Sequence, residues 1–120
     1  MNKVRGIRGA IQIPSNTSEE IFGATKELLT QMIEANDIDY EDIASIFFTA
    51  TDDINADFPA YAARDMGLGQ VPLLCAREIN VPNGMKSLVR ILIHFNTEKE
   101  QFEIKHQYLG ATAKLRPDLN

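Results

Sequence analysis

The chain has 120 residues, a length typical of one domain built around a single hydrophobic core. Apolar residues make up 44% of it and charged residues 24%, and these proportions exclude an intrinsically disordered chain. The net charge of −5 disfavours a broad surface for nucleic acid or anionic membrane lipids. Any anion that the protein binds must therefore meet a local cluster of cationic side chains.

Cysteine content and apolar segments indicate the compartment. The single cysteine, Cys75, permits no internal disulfide and no multi-cysteine metal site. The N-terminal sequence lacks the apolar run of a secretory signal, and no segment approaches the roughly 20 apolar residues of a membrane span. We therefore expect a cytoplasmic protein, or a plastid protein without its transit peptide, that has neither a membrane nor a nucleic-acid partner.

The first half of the chain predicts a strand, a helix and a second strand. Isoleucines at even spacings predict a strand over residues 3–13 with one buried face. Thr17 and Glu20 form a capping-box pattern, so we expect a helix that begins there and ends near Asn36. The β-branched and aromatic run over residues 43–51 predicts a mostly buried strand.

The second half predicts one short helix and three strands. Asp57 is expected to cap a helix over residues 59–66, with Pro59 in its first turn and Gly67 at its end. Strands are expected over residues 71–78, 88–95 and, more weakly, 102–108. The order predicts an α+β fold, a mixed five-stranded sheet with helices on one face. Its uncovered face would need a partner, so we expect a homo-oligomer.

Arg90 is the sharpest anomaly in the pattern, because it interrupts an otherwise apolar strand. A guanidinium is rarely buried unless it is paired. It either forms an ion pair with a carboxylate such as Glu78 or awaits an anionic ligand. A pocket that holds two or three arginines is typical of a receptor for a small di- or trianion. Candidates for the further cations are Arg5, Arg8, Arg77 and Arg116, and Tyr108 could add a hydroxyl donor.

Other chemistry-bearing residues give weaker signals. Cys75 lies in an apolar run, so we expect it to line a core or a pocket and not to act as a nucleophile. His94 and His106 have no acidic cluster beside them, so a metal site is not expected. Asp52 and Asp53 could bind magnesium or could serve a turn. The residues by themselves thus predict an oligomeric domain that binds a small anion with arginines.

Five sequence blocks then resemble one enzyme family over nearly the whole chain. They are VRGIRGA at 4–10, FPAYAAR at 58–64, VPLLCAREINV at 71–81, VRI at 89–91 and YLGATAKLRPDL at 108–119. In this order and spacing they resemble the AroH-type chorismate mutases. The resemblance implies a homotrimeric pseudo α/β barrel with an active site in each cleft between subunits. It also implies conversion of chorismate to prephenate by a [3,3] Claisen rearrangement, in phenylalanine and tyrosine biosynthesis, without a cofactor or metal.

The resemblance also implies roles for individual residues. Arg90, Arg8 and Glu78 would be catalytic, with Arg90 donating to the ether oxygen where negative charge develops and also to a carboxylate. Arg8 and Tyr108 would hold the side-chain carboxylate. Glu78 and the backbone of Cys75 would meet the ring hydroxyl.

Further substrate contacts are implied at the margin of the pocket, namely at Phe58, Ala60, Arg64, Leu74, Leu115 and Arg116. Phe58, Ala60 and Leu74 would form walls, the first two from the neighbouring subunit, and Arg64 and Arg116 an outer basic rim. Two positions depart from the family pattern: Tyr61 stands in place of a lysine and Leu74 in place of a threonine. The first departure removes one peripheral cation and bears on substrate capture. Two alternatives stay open beside the mutase: a trimeric small-anion binding or sensor protein without turnover, and an imine-hydrolysing enzyme on a similar trimeric fold.

Overall fold

The computed structural model describes residues 2–119, in which two helices separate the first three strands and two further strands follow. The elements are β1 (Lys3–Gln12), α1 (Ser18–Ala35), β2 (Ile43–Ala50), α2 (Ala60–Asp65), β3 (Leu73–Arg77), β4 (Leu88–Thr97) and β5 (Gln107–Tyr108). Short 3-10 turns span Tyr40–Asp42, Gln101–Glu103, Gly110–Leu115 and Pro117–Leu119.

The strands form one mixed sheet in the order β3-β2-β4-β1-β5. The central strand β4 runs antiparallel to β1 and β2, whereas the outer pairs β2–β3 and β1–β5 are parallel. α2 lies on the crossover between the parallel strands β2 and β3, because a tight hairpin cannot join parallel neighbours. The predicted α+β fold with a five-stranded mixed sheet is confirmed.

α1 begins where the sequence predicts and is fixed at both ends. The Thr17 hydroxyl accepts a hydrogen bond from the Glu20 backbone N–H at 3.1 Å, whereas the Thr17 N–H donates to the Ser15 carbonyl. At the other end, the Asn36 amide donates to the Met32 carbonyl at 2.8 Å, and its oxygen accepts the Lys105 N–H at 2.8 Å. These bonds fix the end of α1 against the segment that leads into β5.

Both helices cover the same face of the sheet. Gly9 allows α1 to approach β1 closely, because a Cβ there would lie only 2.6 Å from Met32 Sδ. α2 packs against α1 and β3. The buried side chains on this helical face include Ile7, Ile11, Ile46, Phe48, Val89, Ile91 and Ile93.

The opposite face, here called the open face, has neither helix over it. Its side chains alternate with the buried ones, as the pleat of each strand requires. It comprises Gly6, Arg8, Phe47, Thr49, Leu74, Arg90, Leu92 and His94. Leu74 is 58% exposed and Phe47 38%, so this face presents apolar side chains to solvent in the single chain.

Two predicted elements differ from the structure. Asp57 is not the N-cap of α2, which is Pro59; the Asp57 carboxylate instead accepts the Phe58 N–H at 2.8 Å and the Ser18 hydroxyl at 2.9 Å. The fifth strand was predicted over 102–108, but only Gln107–Tyr108 pairs. Upstream, Glu100 and Glu103 form a capping box around a 3-10 turn, and this turn uses the backbone groups that a strand would need.

Candidate active site

Four of the predicted site residues line one cavity of about 390 Å³ on the open face. They are Arg8, Glu78, Arg90 and Tyr108. The sheet register explains the cluster: Arg90 lies opposite Ala10 on β1, and Ala10 in turn lies opposite Tyr108 on β5. The small Ala10 side chain leaves space between the two longer ones. Arg8 follows two residues away on the same face of β1.

Glu78 and Arg90 form an ion pair at the wall of this cavity. Glu78 Oε1 lies 3.2 Å from Arg90 Nε, and Glu78 Oε2 accepts a hydrogen bond from the Thr49 hydroxyl. The Arg90 Nε–H is buried and is not directed at the carboxylate, so the contact is an ion pair without a hydrogen bond. Within residues 2–119 no hydrogen bond reaches the terminal nitrogens of Arg90. Arg90 is therefore paired with a carboxylate, and its terminal nitrogens still have N–H donors for a ligand.

Arg8 is held by its backbone and leaves its guanidinium available. Its N–H donates to His106 Nδ1 at 3.0 Å, while its side chain forms no hydrogen bond or ion pair within the described part of the chain. Burial lowers the pKa of His106, and the nearby Arg8 and Arg116 lower it further, against the opposing effect of Asp118. The neutral ring keeps Nδ1 available as the acceptor.

The predicted wall residues on and beside α2 lie away from this cavity. Phe58 is 58% exposed and lines a separate cavity of about 420 Å³ beside Cys75. Its ring centroid lies 5.3 Å from that of Tyr61, and the Arg64 guanidinium carbon lies 4.9 Å from the Tyr61 ring centroid. Ala60 is the first residue of α2. Within one chain, the structure does not bring these residues to Arg90.

Leu74 and Cys75 point to opposite faces of β3. Leu74 lies on the open face, paired with Phe47. Cys75 pairs with the buried Phe48, and its half-buried thiol contacts the backbone of Ala60. Burial raises the pKa of the Cys75 thiol, and the hydrogen bond from Ala60 opposes this. The thiol therefore lies on the opposite face of the sheet from the Arg90 cavity, and Cys75 does not line that cavity.

The C-terminal candidates, Leu115 and Arg116, follow the 3-10 turn after β5. Both are half-buried and neither lines the Arg90 cavity. Arg116 donates two hydrogen bonds to Asp118, at 3.0 and 2.8 Å. This pairing lowers the pKa of Asp118 and raises the pKa of Arg116.

The remaining polar candidates have structural roles. The Asp53 carboxylate accepts hydrogen bonds from the Thr51 hydroxyl and from the Ser87 N–H and hydroxyl, which lower its pKa. Asp52 pairs with Arg77 at 3.3 Å. No group of three or more His, Cys, Asp or Glu in residues 2–119 could hold a metal ion. No helix among these residues is long and apolar enough to cross a membrane.

Thr49 is the site residue that sequence reasoning missed. It lines the cavity, lies opposite Arg90 and contacts Glu78. On its own, a threonine in a β-branched run is explained by strand propensity. Because Thr49 lies two residues after Phe47, strand alternation could have placed both on one face. The sequence could not show that Thr49 lies opposite Arg90, because this pairing depends on the register of β2 and β4.

The fold and this cavity define a class of protein: a small α+β domain whose uncovered sheet face carries a cavity lined by arginines, a glutamate and a tyrosine, a lining that suits a small organic anion. Comparison with known proteins gives the family. The family model of chorismate mutase type I matches residues 4–119. The chain belongs to this family.

Relatives match along nearly their whole length. The chain is 49% identical over 117 residues to the chorismate mutase AroH of Thermus thermophilus, covering 97% of this chain and 96% of that one. It is 41% identical over 118 residues to the chorismate mutase AroH of Bacillus subtilis, covering 98% and 93%. A chorismate mutase structure from Clostridium thermocellum superimposes with a TM-score of 0.90 at 43% identity, covering 92% of this chain and 98% of that one.

Proposed function

We propose that this chain is an isomerase that converts chorismate to prephenate in the cavity lined by Arg8, Glu78, Arg90 and Tyr108. The observation that carries the assignment is the convergence of these four side chains on one cavity in a chain of the chorismate mutase family. The product feeds phenylalanine and tyrosine biosynthesis, and we place the enzyme in the cytoplasm.

The rearrangement needs positioning and electrostatics from the protein. The ether C–O bond breaks while a C–C bond forms within the same molecule, so the protein supplies no nucleophile, electron acceptor or group acceptor. We therefore expect turnover without a metal or cofactor. Negative charge grows on the ether oxygen, and the terminal N–H groups of Arg90 would stabilise it more in the transition state than in the ground state.

The other three side chains would bind and orient the substrate. The guanidinium of Arg8 and the hydroxyl of Tyr108 can hold one carboxylate, which restrains the enolpyruvyl arm over the ring and reduces the entropic part of the barrier. Glu78 would accept a hydrogen bond from the ring hydroxyl. Each of its carboxylate oxygens has a second acceptor site beyond the contacts with Thr49 and Arg90.

We further propose that the active unit is a homotrimer in which the open face is covered by neighbouring copies. The exposed Phe47 and Leu74 support a covered face, because contiguous apolar side chains on a monomer surface mark interaction sites. The separation of Phe58 and Ala60 from the Arg90 cavity supports a wall supplied by a neighbour. Each active site would then combine residues of two chains.

The direct test is the loss of chorismate ultraviolet absorbance with purified protein in EDTA, with prephenate identified by its acid conversion to phenylpyruvate. We expect fast, saturable turnover that EDTA does not reduce. A folded protein that binds chorismate without turnover would overturn the enzymatic assignment and favour a binding or sensor protein. Turnover that EDTA abolishes would contradict the metal-free mechanism.

A further inference from the structure

Thr49 lies beside the Glu78–Arg90 pair and contacts it. It lies on β2 directly opposite Arg90 of β4, and both side chains face the cavity. Opposed residues on one face of an antiparallel pair have Cβ atoms about 4.5–5.5 Å apart. The Thr49 hydroxyl donates to Glu78 Oε2, so one side chain from β2 and one from the end of β3 meet beside Arg90.

This hydrogen bond divides the Glu78 carboxylate between two partners. Arginine and carboxylate groups usually form two parallel N–H···O bonds when nothing competes. Here Oε1 lies 3.2 Å from Arg90 Nε, the Nε–H is not aligned with it, and Oε2 is engaged by Thr49. The carboxylate therefore does not bind the guanidinium through two parallel hydrogen bonds, and within residues 2–119 no hydrogen bond joins it to the terminal nitrogens of Arg90.

We propose that Thr49 is a positioning residue that holds Glu78 away from bidentate pairing with Arg90 and so keeps the terminal N–H donors of Arg90 directed into the cavity. The inference rests on the proposed function of the cavity. Without the hydroxyl, Glu78 rotates to take both Arg90 nitrogens on one edge of the guanidinium. A donor is then withdrawn from the oxygen on which charge develops, and the catalytic step slows.

The neighbouring Thr51 shows that a hydroxyl on this strand segment can serve another purpose. Its side chain accepts the Leu88 N–H at 2.9 Å and donates to Asp53, so it secures the turn that follows β2. Thr49 has no such backbone partner in the described residues. Its hydroxyl donates to Glu78, which lines the cavity, and we therefore infer that Thr49 serves the site and does not stabilise a turn.

The test compares Thr49→Val with Thr49→Ser. Valine keeps the shape and strand preference of threonine but removes the hydroxyl, whereas serine keeps the hydroxyl. We expect Thr49→Val to lower kcat about tenfold, from the loss of one hydrogen bond to a charged group, with a smaller change in KM. Thr49→Ser should lie within about twofold of wild type in kcat. If Thr49→Val does not fold, Thr49→Ala removes the same hydroxyl.

A matched control and a double-mutant cycle separate this role from a structural one. Ser45→Ala removes a hydroxyl from the same face of β2, where it contacts His94 at 3.2 Å, and should not change kcat. Because Thr49 acts through Glu78, Thr49→Val should cost nothing further in a Glu78→Ala background. Equal losses in both backgrounds, or a kcat of Thr49→Val within about twofold of wild type, would overturn the inference. Absence of turnover in the wild-type protein would instead contradict the proposed function.

Discussion

The two faces of the sheet are made by the same strands and differ in what must cover them. On the helical face, β1, β2 and β4 carry isoleucine, valine and phenylalanine side chains such as Ile7, Phe48 and Val89, which are fully buried. On the open face, the intervening positions mix Phe47 and Leu74 with charged and hydroxyl side chains.

The difference shows how one sheet serves stability and chemistry at once. The helical face carries the hydrophobic core that folds the chain. The open face carries polar groups in cross-strand register, in a row that runs Thr49, Arg90, Ala10, Tyr108 from β2 to β5. Because each of these residues is anchored by a strand whose other side is buried, the cavity is built on rigid backbone.

The largest effect is expected from a charge placed on the open face. Leu74→Asp leaves the monomer unaffected, since this side chain is 58% exposed, but would bury an unpaired carboxylate at each interface of the proposed trimer. Such a burial costs several kcal/mol per ion. We expect sedimentation to show trimers for wild type and monomers for the variant at the same concentration. Phe102→Asp, at an 86% exposed position outside the open face, is the control; trimeric Leu74→Asp would argue against burial of this face.

Arg90→Ala tests the chemistry of the same face. We expect kcat to fall about 10²- to 10³-fold, the loss typical of one preorganised donor at developing charge. Arg5→Ala is the control, because Arg5 donates to the Lys99 carbonyl and pairs with Glu100 outside the cavity. It should lower the urea midpoint with little change in kcat. An Arg90→Ala kcat within about threefold of wild type would remove Arg90 from the mechanism.

Two glycine substitutions probe the helical face. Gly9→Ala would place a Cβ 2.6 Å from Met32 Sδ and 3.0 Å from the Gln107 carbonyl oxygen, and such overpacking costs about 1–3 kcal/mol. Gly23 lies exposed within α1 with nothing within 4 Å of an added Cβ, so Gly23→Ala should stabilise by about 0.5–1 kcal/mol. Urea unfolding measures the change in the free energy of unfolding for each variant. If Gly9→Ala and Gly23→Ala changed it equally and in the same direction, this packing of α1 on β1 would be contradicted.

A smaller, pH-dependent effect is expected at His106. Its pKa is lowered in the folded protein, so the unfolded chain binds the proton more readily and stability falls as pH drops below about 6.5. His106→Asn keeps an acceptor for the Arg8 N–H but does not titrate. The urea midpoint of wild type should therefore fall further than that of the variant between pH 7.5 and pH 5. Parallel pH profiles would show that the pKa of His106 is the same in the folded and unfolded states, and would contradict this prediction.

The smallest effect is expected at Cys75. Its thiol lies on the helical face, so Cys75→Ser should keep kcat within about threefold of wild type if only the main chain meets substrate. The assay is steady-state turnover, with circular dichroism to verify folding. Inactivation of a folded variant would place the thiol itself in the site.

The sequence predicted the helical face better than the open face. Even spacing of Ile7 and Ile11 and the cap at Thr17 are local signals, and the strand and helix they predict are confirmed. Arg90 stood out because its charge broke a local pattern, and it lines the cavity. Its role in binding an anion stays a prediction. The family resemblance is likewise confirmed.

What the sequence could not predict depends on contacts between distant segments. The role of Thr49 depends on the register that places it opposite Arg90 and on its hydrogen bond to the Glu78 carboxylate, 29 residues away in sequence. Asp57 matched a helix cap, yet the Ser18 hydroxyl at the start of α1 binds it instead. The roles of Phe58, Ala60 and Arg64 stay predictions, and those of Phe58 and Ala60 require the proposed neighbouring copy.

The central claim, that one chain supplies the Arg90 cavity and its neighbour supplies the Phe58 wall, is tested most directly by mixing two inactive variants. Arg90→Ala damages the cavity and Phe58→Asp damages the wall. After co-refolding in equal amounts, trimers should regain about a quarter of wild-type activity, because one site in four combines two intact halves. If the mixture stays as inactive as its components while forming trimers, both halves come from one chain and the shared site is wrong.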